Sequence, residues 1–383
     1  MKRKNMVFAV ITLLSPLLLT GCWNIKEIQD ISYVTALGLD YQDGRYVAYA
    51  QMLDFSNVAR TEGGRPDKQP PILIGKAEGI TVTTALNNLY QDGQQRLYWG
   101  HVSTLLLSDR ILDKGVEKSI DFINRYREIR YNILLFVTRE SIEDLFRAKS
   151  FFTWSPLSTL LHEPTENYRQ RSYVQPKQFF EFISDIREPG QTGYVPAISL
   201  TSNHWKEDQK PKELMKRDGA VFVRNDRLQG WLPESKLDGM RWMDPQSVRS
   251  PIWILEGGKP VASLVIENPK IKIKPFIKGD HAFFDIDIKV SGGINEKLKE
   301  IPEKELIRQA EGVIRKEVLD TYKEGVKIRA DVYQLGVPLY RQDPHAWNRL
   351  SKKGAFVLNE ESIQKVTVKL KLKNSGKLKY ESR

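Results

Sequence analysis

One cysteine in 383 residues, Cys22, and the run in front of it constrain this chain more than anything that follows. Lys2, Arg3 and Lys4 form a basic start, and Met6 to Leu19 is an apolar run broken only by Thr12, Ser15 and Pro16. The small residues Thr20 and Gly21 stand directly before the cysteine. That is the layout of a secretory signal sequence with a lipobox-like end, Leu19-Thr20-Gly21-Cys22. The run falls short of the ~18 to 20 apolar residues that a permanent membrane helix needs, and Pro16 would disturb its last turn. Residues 1–21 are therefore expected to be removed, leaving Cys22 as the first residue of the mature chain.

A leucine, two small residues and a cysteine are what lipoprotein processing acts on: the thiol receives a diacylglyceryl group and the chain is cut in front of it. Cys22 is then a lipidation site rather than a nucleophile, with Leu19, Thr20 and Gly21 as the signal-peptidase recognition residues. Each buried methylene is worth roughly 0.8 kcal/mol, so two or more acyl chains hold stably where one gives marginal binding. No cysteine follows position 22, so the exported body has no disulfides and must rest on apolar cores of ordinary size. Hydrophobic residues at 40% and charged residues at 28% fit a globular body of two or three domains. The net charge of +11 falls to +8 once Lys2, Arg3 and Lys4 leave. That excess favours an anionic membrane surface only if it is clustered.

Along the chain, Ile31 to Asp40 and the run from Val47 predict a hairpin turning at Asp43-Gly44. Ser56 to Pro71, with Gly63, Gly64, Pro66, Pro70 and Pro71, has the composition of a mobile loop. Strands are expected at Ile72–Ile74, Val102–Ser108 and Ile133–Thr138. Helices are expected over Thr81–Leu89, Val116–Arg125 and Ser141–Phe146, the last with Ser141 as N-cap. Phe179, Phe180, Phe182 and Ile183 predict a helix over Gln175–Ile186 that stops at Pro189-Gly190. Thr201 to Pro211 is polar enough to be a linker. Beyond it, Gly219–Val223 and Leu228–Leu232 predict a second hairpin turning at Asn225-Asp226, followed by a short helix holding Leu237, Met240 and Trp242. Trp231 and Trp242 are read as core rather than as a ligand-stacking pair.

The last unit shows strand alternation at Val261–Glu267, Lys270–Lys274 and Ala282–Val290. Pro302 starts a long helix striped by Leu306, Ile307, Ala310, Val313, Ile314, Val318 and Tyr322. Val366, Val368, Leu370 and Leu372 then alternate with Thr367, Lys369, Lys371 and Lys373. The expected fold class is α+β: three mixed α/β domains at 22–200, 201–265 and 266–383, the last an antiparallel-rich sheet packed by a long helix.

Chemical motifs are sparse. His101, His162, His204, His281 and His345 fall at no spacing that sets metal ligands on one helical face. The chain holds no G-x-S-x-G elbow, no phosphate-binding G-x-x-x-x-G-K-[ST] loop and no G-x-G-x-x-G turn. Asp285 and Asp287 share a strand face, as solvent-facing acids do. No catalytic residue, cofactor or metal is expected, and an acylated exported protein would not ordinarily meet nucleic acid.

The residues that remain distinctive do so by their order. They are Cys22-Trp23 with Glu27-Ile28; Leu37-Gly38-Leu39-Asp40; and Gly100-His101 through Phe122 to Glu128-Ile129-Arg130. Further on come Tyr194-Val195-Pro196-Ala197-Ile198, Gly219-Ala220-Val221-Phe222 with Gly230-Trp231-Leu232, and Asp331-Val332-Tyr333-Gln334-Leu335-Gly336 with Pro344 and Trp347. Across nearly the whole mature chain this resembles the Ger(x)C spore-germination lipoproteins, the C subunits of nutrient germinant receptors. Lys26, and Gln334 where the family often has a residue such as Gly or Phe, are departures. The resemblance implies a non-enzymatic receptor subunit held by its lipid on the outer face of the inner spore membrane. Its implied partners are membrane lipid through acylated Cys22 and the A-type and B-type membrane subunits. The rival class is a solute-binding lipoprotein serving a transporter, which would need a pocket.

Overall fold

The structure, a computed structural model, describes residues 31–53, 71–152, 154–352 and 357–373. Leu19, Thr20, Gly21, Cys22 and the stretch expected to be a mobile loop, all but Pro71, lie outside the described residues.

The first sheet is built on β1 (Ile31–Gln42), β2 (Arg45–Leu53), β3 (Ile72–Gly79), β4 (Arg96–Tyr98), β5 (Thr104–Ser108), β6 (Leu134–Thr138), β7 (Lys177–Gln178) and β8 (Gly193–Thr201). A two-residue hairpin, β9 (Lys206–Glu207) and β10 (Lys210–Pro211), then leads to β11 (Leu214–Arg224) and β12 (Arg227–Leu232). The order is β12-β11-β8-β6-β5-β1-β2-β3, with β4 beside β1 and β7 beside β6. At its centre β1, β5, β6 and β8 run parallel. Parallel strands need crossover connections that cover both faces, which is why Leu105, Leu106 and Leu107 form an unbroken buried run.

One face is covered by α1 (Val82–Asn88), α2 (Val116–Arg125) and later α4 (Phe179–Arg187), and the other by α3 (Ile142–Arg147). Ser141 caps α3 through its hydroxyl, as its sequence position predicts. Gly38 lets α3 lie directly on β1, since a Cβ there would come 2.5 Å from Ile142 Cγ2. The first hairpin turns through Asp43 and Gly44, whose φ values of 48° and 80° are the left-handed pair that such a turn requires.

The phenylalanine-rich helix starts four residues later than expected. Lys177 and Gln178 pair with Leu135 and Leu134 as β7, and Glu181 accepts the Gln178 backbone N–H at 2.9 Å to begin α4. Its apolar face is also narrower than expected, because Phe180 is 48% exposed.

The second sheet comprises β13 (Ser250–Glu256), β14 (Lys259–Lys278), β15 (His281–Lys297) and β16 (Ile363–Leu372), in that order. β16 runs parallel to β15, so the intervening chain crosses over through α5 (Glu303–Lys327), α6 (Gly336–Gln342) and α7 (Pro344–Leu350). Leu306, Ala310, Ile314, Val318 and Tyr322 of α5 are each at most 1% exposed against this sheet. Burying the leucine, isoleucine and valine of this stripe contributes roughly 1.5 to 3 kcal/mol apiece before chain entropy is counted. The expected antiparallel-rich sheet packed by a long helix is present. The segments expected at Val261–Glu267 and Lys270–Lys274 both belong to β14, interrupted by an irregularity at that point.

The sheets redraw the unit expected over 201–265. β11 pairs with β8 across the supposed linker, and β14 passes through residue 265 without a break. The physical reason is the alternation in β11. Val221 and Val223 point into the core of the first sheet, whereas Ala220 and Phe222 point into the core built on the second. A strand with an apolar residue on both faces cannot be the surface of a small separate domain.

Candidate functional site at the joint between the sheets

Among the described residues, clusters of buried polar groups hold the two sheets to each other and the first sheet to its helices. The first lies where the short helix Met240–Met243 meets α5. Arg241 is 2% exposed, and one of its terminal nitrogens donates to both carboxylate oxygens of Glu317, at 2.9 and 2.8 Å. Trp242 Nε1 donates to the same carboxylate at 2.6 Å, and the Arg241 guanidinium stacks on Tyr173 at 4.4 Å. Burial raises the Glu317 carboxyl above the usual glutamate range, although Arg241 and Trp242 oppose the shift. Trp242 is therefore core. Trp231, half-buried on the other core and stacked under Arg139 at 4.2 Å, is not its partner.

The second cluster is the loop Asp331-Val332-Tyr333-Gln334-Leu335-Gly336. Its first carboxylate accepts the backbone N–H of Gly336 at 2.8 Å and of Tyr333 at 3.4 Å, closing the loop on itself. Thr192 Oγ1, which follows the Pro189-Gly190 stop, accepts the Asp331 N–H at 3.3 Å. Burial pushes the Asp331 carboxyl up to about 6, against the backbone N–H groups that pull it down. Gly190 and Gly336 cross backbone to backbone: a Cβ on Gly336 would stand 2.4 Å from the Gly190 carbonyl oxygen and 2.9 Å from the Trp347 ring. The joint is thus made by Gly336 and Trp347 of the distinctive C-terminal segment. Its other half, Gly190 and Thr192, is visible in the sequence only as a helix stop.

Beside this crossing lies a cleft of about 260 Å³, with Gln191, Arg224, Asp331 and Trp347 among its walls. Ligand pockets usually span ~300 to 1,000 Å³. The cleft is small, and its one buried carboxylate is already engaged by its own loop, so its geometry is that of a joint.

The third cluster sits inside the first sheet. Asp40, 1% exposed, is gripped by Arg110 Nε at 3.0 Å, by Ser108 Oγ and by Gln42 Nε2 at 2.6 Å. Burial alone would raise its pKa, but these hydrogen bonds outweigh it and hold the carboxyl below the usual range. On the opposite side, His162 has Ser103 Oγ 2.7 Å from Nδ1 and Gln51 Oε1 2.9 Å from Nε2. The Gln51 amide is oriented by donating to the Phe146 carbonyl, so its oxygen faces the ring and Nε2 carries the proton. The single Ser103 hydroxyl proton is shared between Nδ1 and the Thr35 carbonyl, 3.1 Å away, and burial keeps the imidazole neutral.

Burial depresses His162 to about 4. Protonation is favoured in the unfolded chain, so this histidine supports the fold fully above about pH 6.5, and that support is lost as pH falls toward 4. The change from 6.5 to about 4 corresponds to about 3 kcal/mol, which the half-buried position of the residue reduces to about 2. Between pH 6.5 and 4.5, wild type is expected to lose more stability than His162→Gln in urea melts. Equal slopes would refute the assignment.

The remaining distinctive residues are brought together pairwise. Glu128 accepts the Trp99 N–H at 3.3 Å and pairs with Arg96, which links the Gly100-His101 turn to Glu128-Ile129-Arg130. Tyr194–Ile198 and Gly219–Phe222 are neighbours in β8 and β11. Asp285 and Asp287 lie on an open strand face, where Lys274 pairs with Asp287.

The architecture is that of an α+β protein whose two sheets share the β11–β12 hairpin and a glycine crossing. Residues 24–200 match the family described as "Spore germination protein N-terminal domain", and residues 217–376 match "Spore germination B3/ GerAC like, C-terminal". The chain belongs to this Ger(x)C family of spore germination proteins. Spore germination protein KC of Bacillus subtilis (strain 168) is 22% identical over 373 residues, covering 91% of this chain and 90% of the relative. Spore germination protein B3 of the same organism is 22% identical over 382 residues, covering 94% and 95%. The crystal structure of the GerBC protein shares the fold at a TM-score of 0.57 and 17% identity, covering 92% of this chain and 100% of that one.

Proposed function

We propose that this chain is the lipid-anchored, non-enzymatic C subunit of a nutrient germinant receptor. In this reading Cys22 is acylated and holds the body on the outer face of the inner spore membrane, beside an A-type and a B-type membrane subunit. The observation that carries the proposal is the match of both family segments, in order, along one chain, and the run up to Leu19-Thr20-Gly21-Cys22 that reads as a lipoprotein signal supports it. Ile31, at the start of β1, lies nine positions beyond Cys22, a reach of at most about 32 Å even when fully extended. An anchor that close keeps the folded body at the bilayer and raises its effective concentration for membrane partners, so that weak contacts suffice.

The test is deletion of the gene, complemented by wild type or by Cys22→Ala. Wild type is expected to restore germination to at least one nutrient of a panel. Cys22→Ala is expected to leave the membrane fraction and to fail to restore it. If Cys22→Ala stays membrane-bound, the anchor is wrong. If purified protein binds an amino acid or a sugar tightly by calorimetry, the receptor-subunit reading gives way to solute capture.

A further inference from the structure

The face of the second sheet turned away from α5 carries an array of lysines that the fold itself disfavours. On the covered side, Ala282, Phe284, Ile286 and Ile288 of β15 are at most 1% exposed. The open side presents the alternate residues, and its rows follow from strand register. Lys270 of β14 lies opposite Lys289 of β15, which lies beside Lys369 of β16: three exposed lysines in one row across three strands. The next row is Lys272, Asp287 and Thr367, and the one after it Lys274, Asp285 and Lys365. Like charges directly opposite one another destabilise a sheet, and here two such juxtapositions share Lys289. The aspartates relieve the two rows on that side, Lys274 reaching Asp287 at 3.3 Å, and on the other side Glu267 stands opposite Ser291 and pairs with Lys373 at 3.1 Å, but no acid stands in the all-lysine row itself.

We propose that this open face docks on anionic lipid headgroups, making a second, electrostatic contact with the bilayer to which Cys22 tethers the chain. The inference rests on the anchored reading for its geometry, because a tether of at most about 32 Å brings some face of the protein to the membrane. The chemistry selects this face. Lysine is a flexible point charge that needs no fixed partner geometry, unlike the bidentate arginine fork. An extended lysine array thus complements a fluid anionic surface better than it would the fixed carboxylates of one peptide. Lys278 at the hairpin end, lying 5.4 Å over the Phe276 ring and 5.8 Å over Phe283, extends the array beside two partly exposed phenylalanine rings, apolar surface suited to the boundary between headgroups and acyl chains.

The test uses the full-length acylated chain in vesicles of phosphatidylcholine alone or with phosphatidylglycerol, followed by amine-reactive labelling read by mass spectrometry. Lys270, Lys289 and Lys369 are expected to label about fivefold more slowly with phosphatidylglycerol, as ~1 kcal/mol per surface lysine implies. High salt should reverse the protection, and Lys316, on the exposed side of α5, should not change. Equal labelling in both lipids overturns the proposal. So does protection that appears in both lipids and resists salt, which would mean cover by another protein surface. Flotation with phosphatidylcholine vesicles scores the anchor separately: if flotation fails while the lipid-dependent protection persists, Cys22 anchoring falls and this docking face stands. The variant carrying Lys270→Gln, Lys289→Gln and Lys369→Gln should lose about 100-fold in partitioning to anionic vesicles. It should melt no lower than wild type, since the like-charge row is relieved.

Discussion

Glu317→Ala is expected to lower folding stability by about 3 to 5 kcal/mol, because it leaves the Arg241 guanidinium buried and uncompensated. The geometry sets the size. Arg241 is 2% exposed, Glu317 offers it two acceptors, and its other strong contact is one terminal nitrogen on the Pro251 carbonyl at 3.1 Å. Surface ion pairs such as Lys316–Asp320, at the same helix, are worth at most ~1 kcal/mol, and Asp320→Ala should be nearly silent. The cost belongs to the broken pair rather than to the pair's existence, so removing both charges should recover most of it. Arg241→Met with Glu317→Leu is expected to retain a deficit of about 1 to 2 kcal/mol, because Trp242 Nε1 also loses its acceptor. Urea melts of the three variants decide the matter. A Glu317→Ala loss below about 1 kcal/mol would mean that Arg241 escapes to water.

Which features the sequence reveals follows from how far apart their causes lie along the chain. The Val116–Arg125 helix, the Asp43-Gly44 and Asn225-Asp226 turns and the stripe on α5 depend on neighbours within a few residues, and each has a periodic or turn signature. The late start of α4 depends on Lys177 and Gln178 pairing with a strand more than forty residues earlier, and no local pattern announces that. The division at 201–265 misleads for the same reason. Polarity over Thr201–Pro211 resembles a linker, yet the strands on either side of it are hydrogen-bonded neighbours. Among the polar clusters, Asp331 and Gly336 stand out in the sequence by their place in a distinctive string. Arg241 and Glu317, separated by 76 positions, carry no signature at all. Cys22 is the converse case: the expectation for it comes from four adjacent residues, and it lies outside the described residues.

At the joint, substitutions two positions apart should act in opposite directions. Gly336 opens α6, where alanine would ordinarily favour the helix by up to ~1 kcal/mol. A Cβ there would nevertheless stand 2.4 Å from the Gly190 carbonyl oxygen and 2.9 Å from the Trp347 ring, so overpacking of about 3 kcal/mol wins and Gly336→Ala destabilises. Gly190→Ala should cost more still. Its φ of +81° adds about 1 to 2 kcal/mol of backbone strain to a Cβ placed 2.7 Å from Gly336 backbone atoms. Gln334, by contrast, sits at φ +54°, a left-handed conformation that glycine adopts without strain. Gln334→Gly relieves that strain and gives back part of the gain through the greater freedom of the unfolded chain, for a net stabilisation of about 0.5 kcal/mol. The order of midpoints in thermal melts should be Gln334→Gly, wild type, Gly336→Ala, Gly190→Ala. If Gly336→Ala and Gly190→Ala both melt with wild type, the two sheets are not held by this crossing. The shared hairpin and the Arg241–Glu317 cluster would then carry the joint without it.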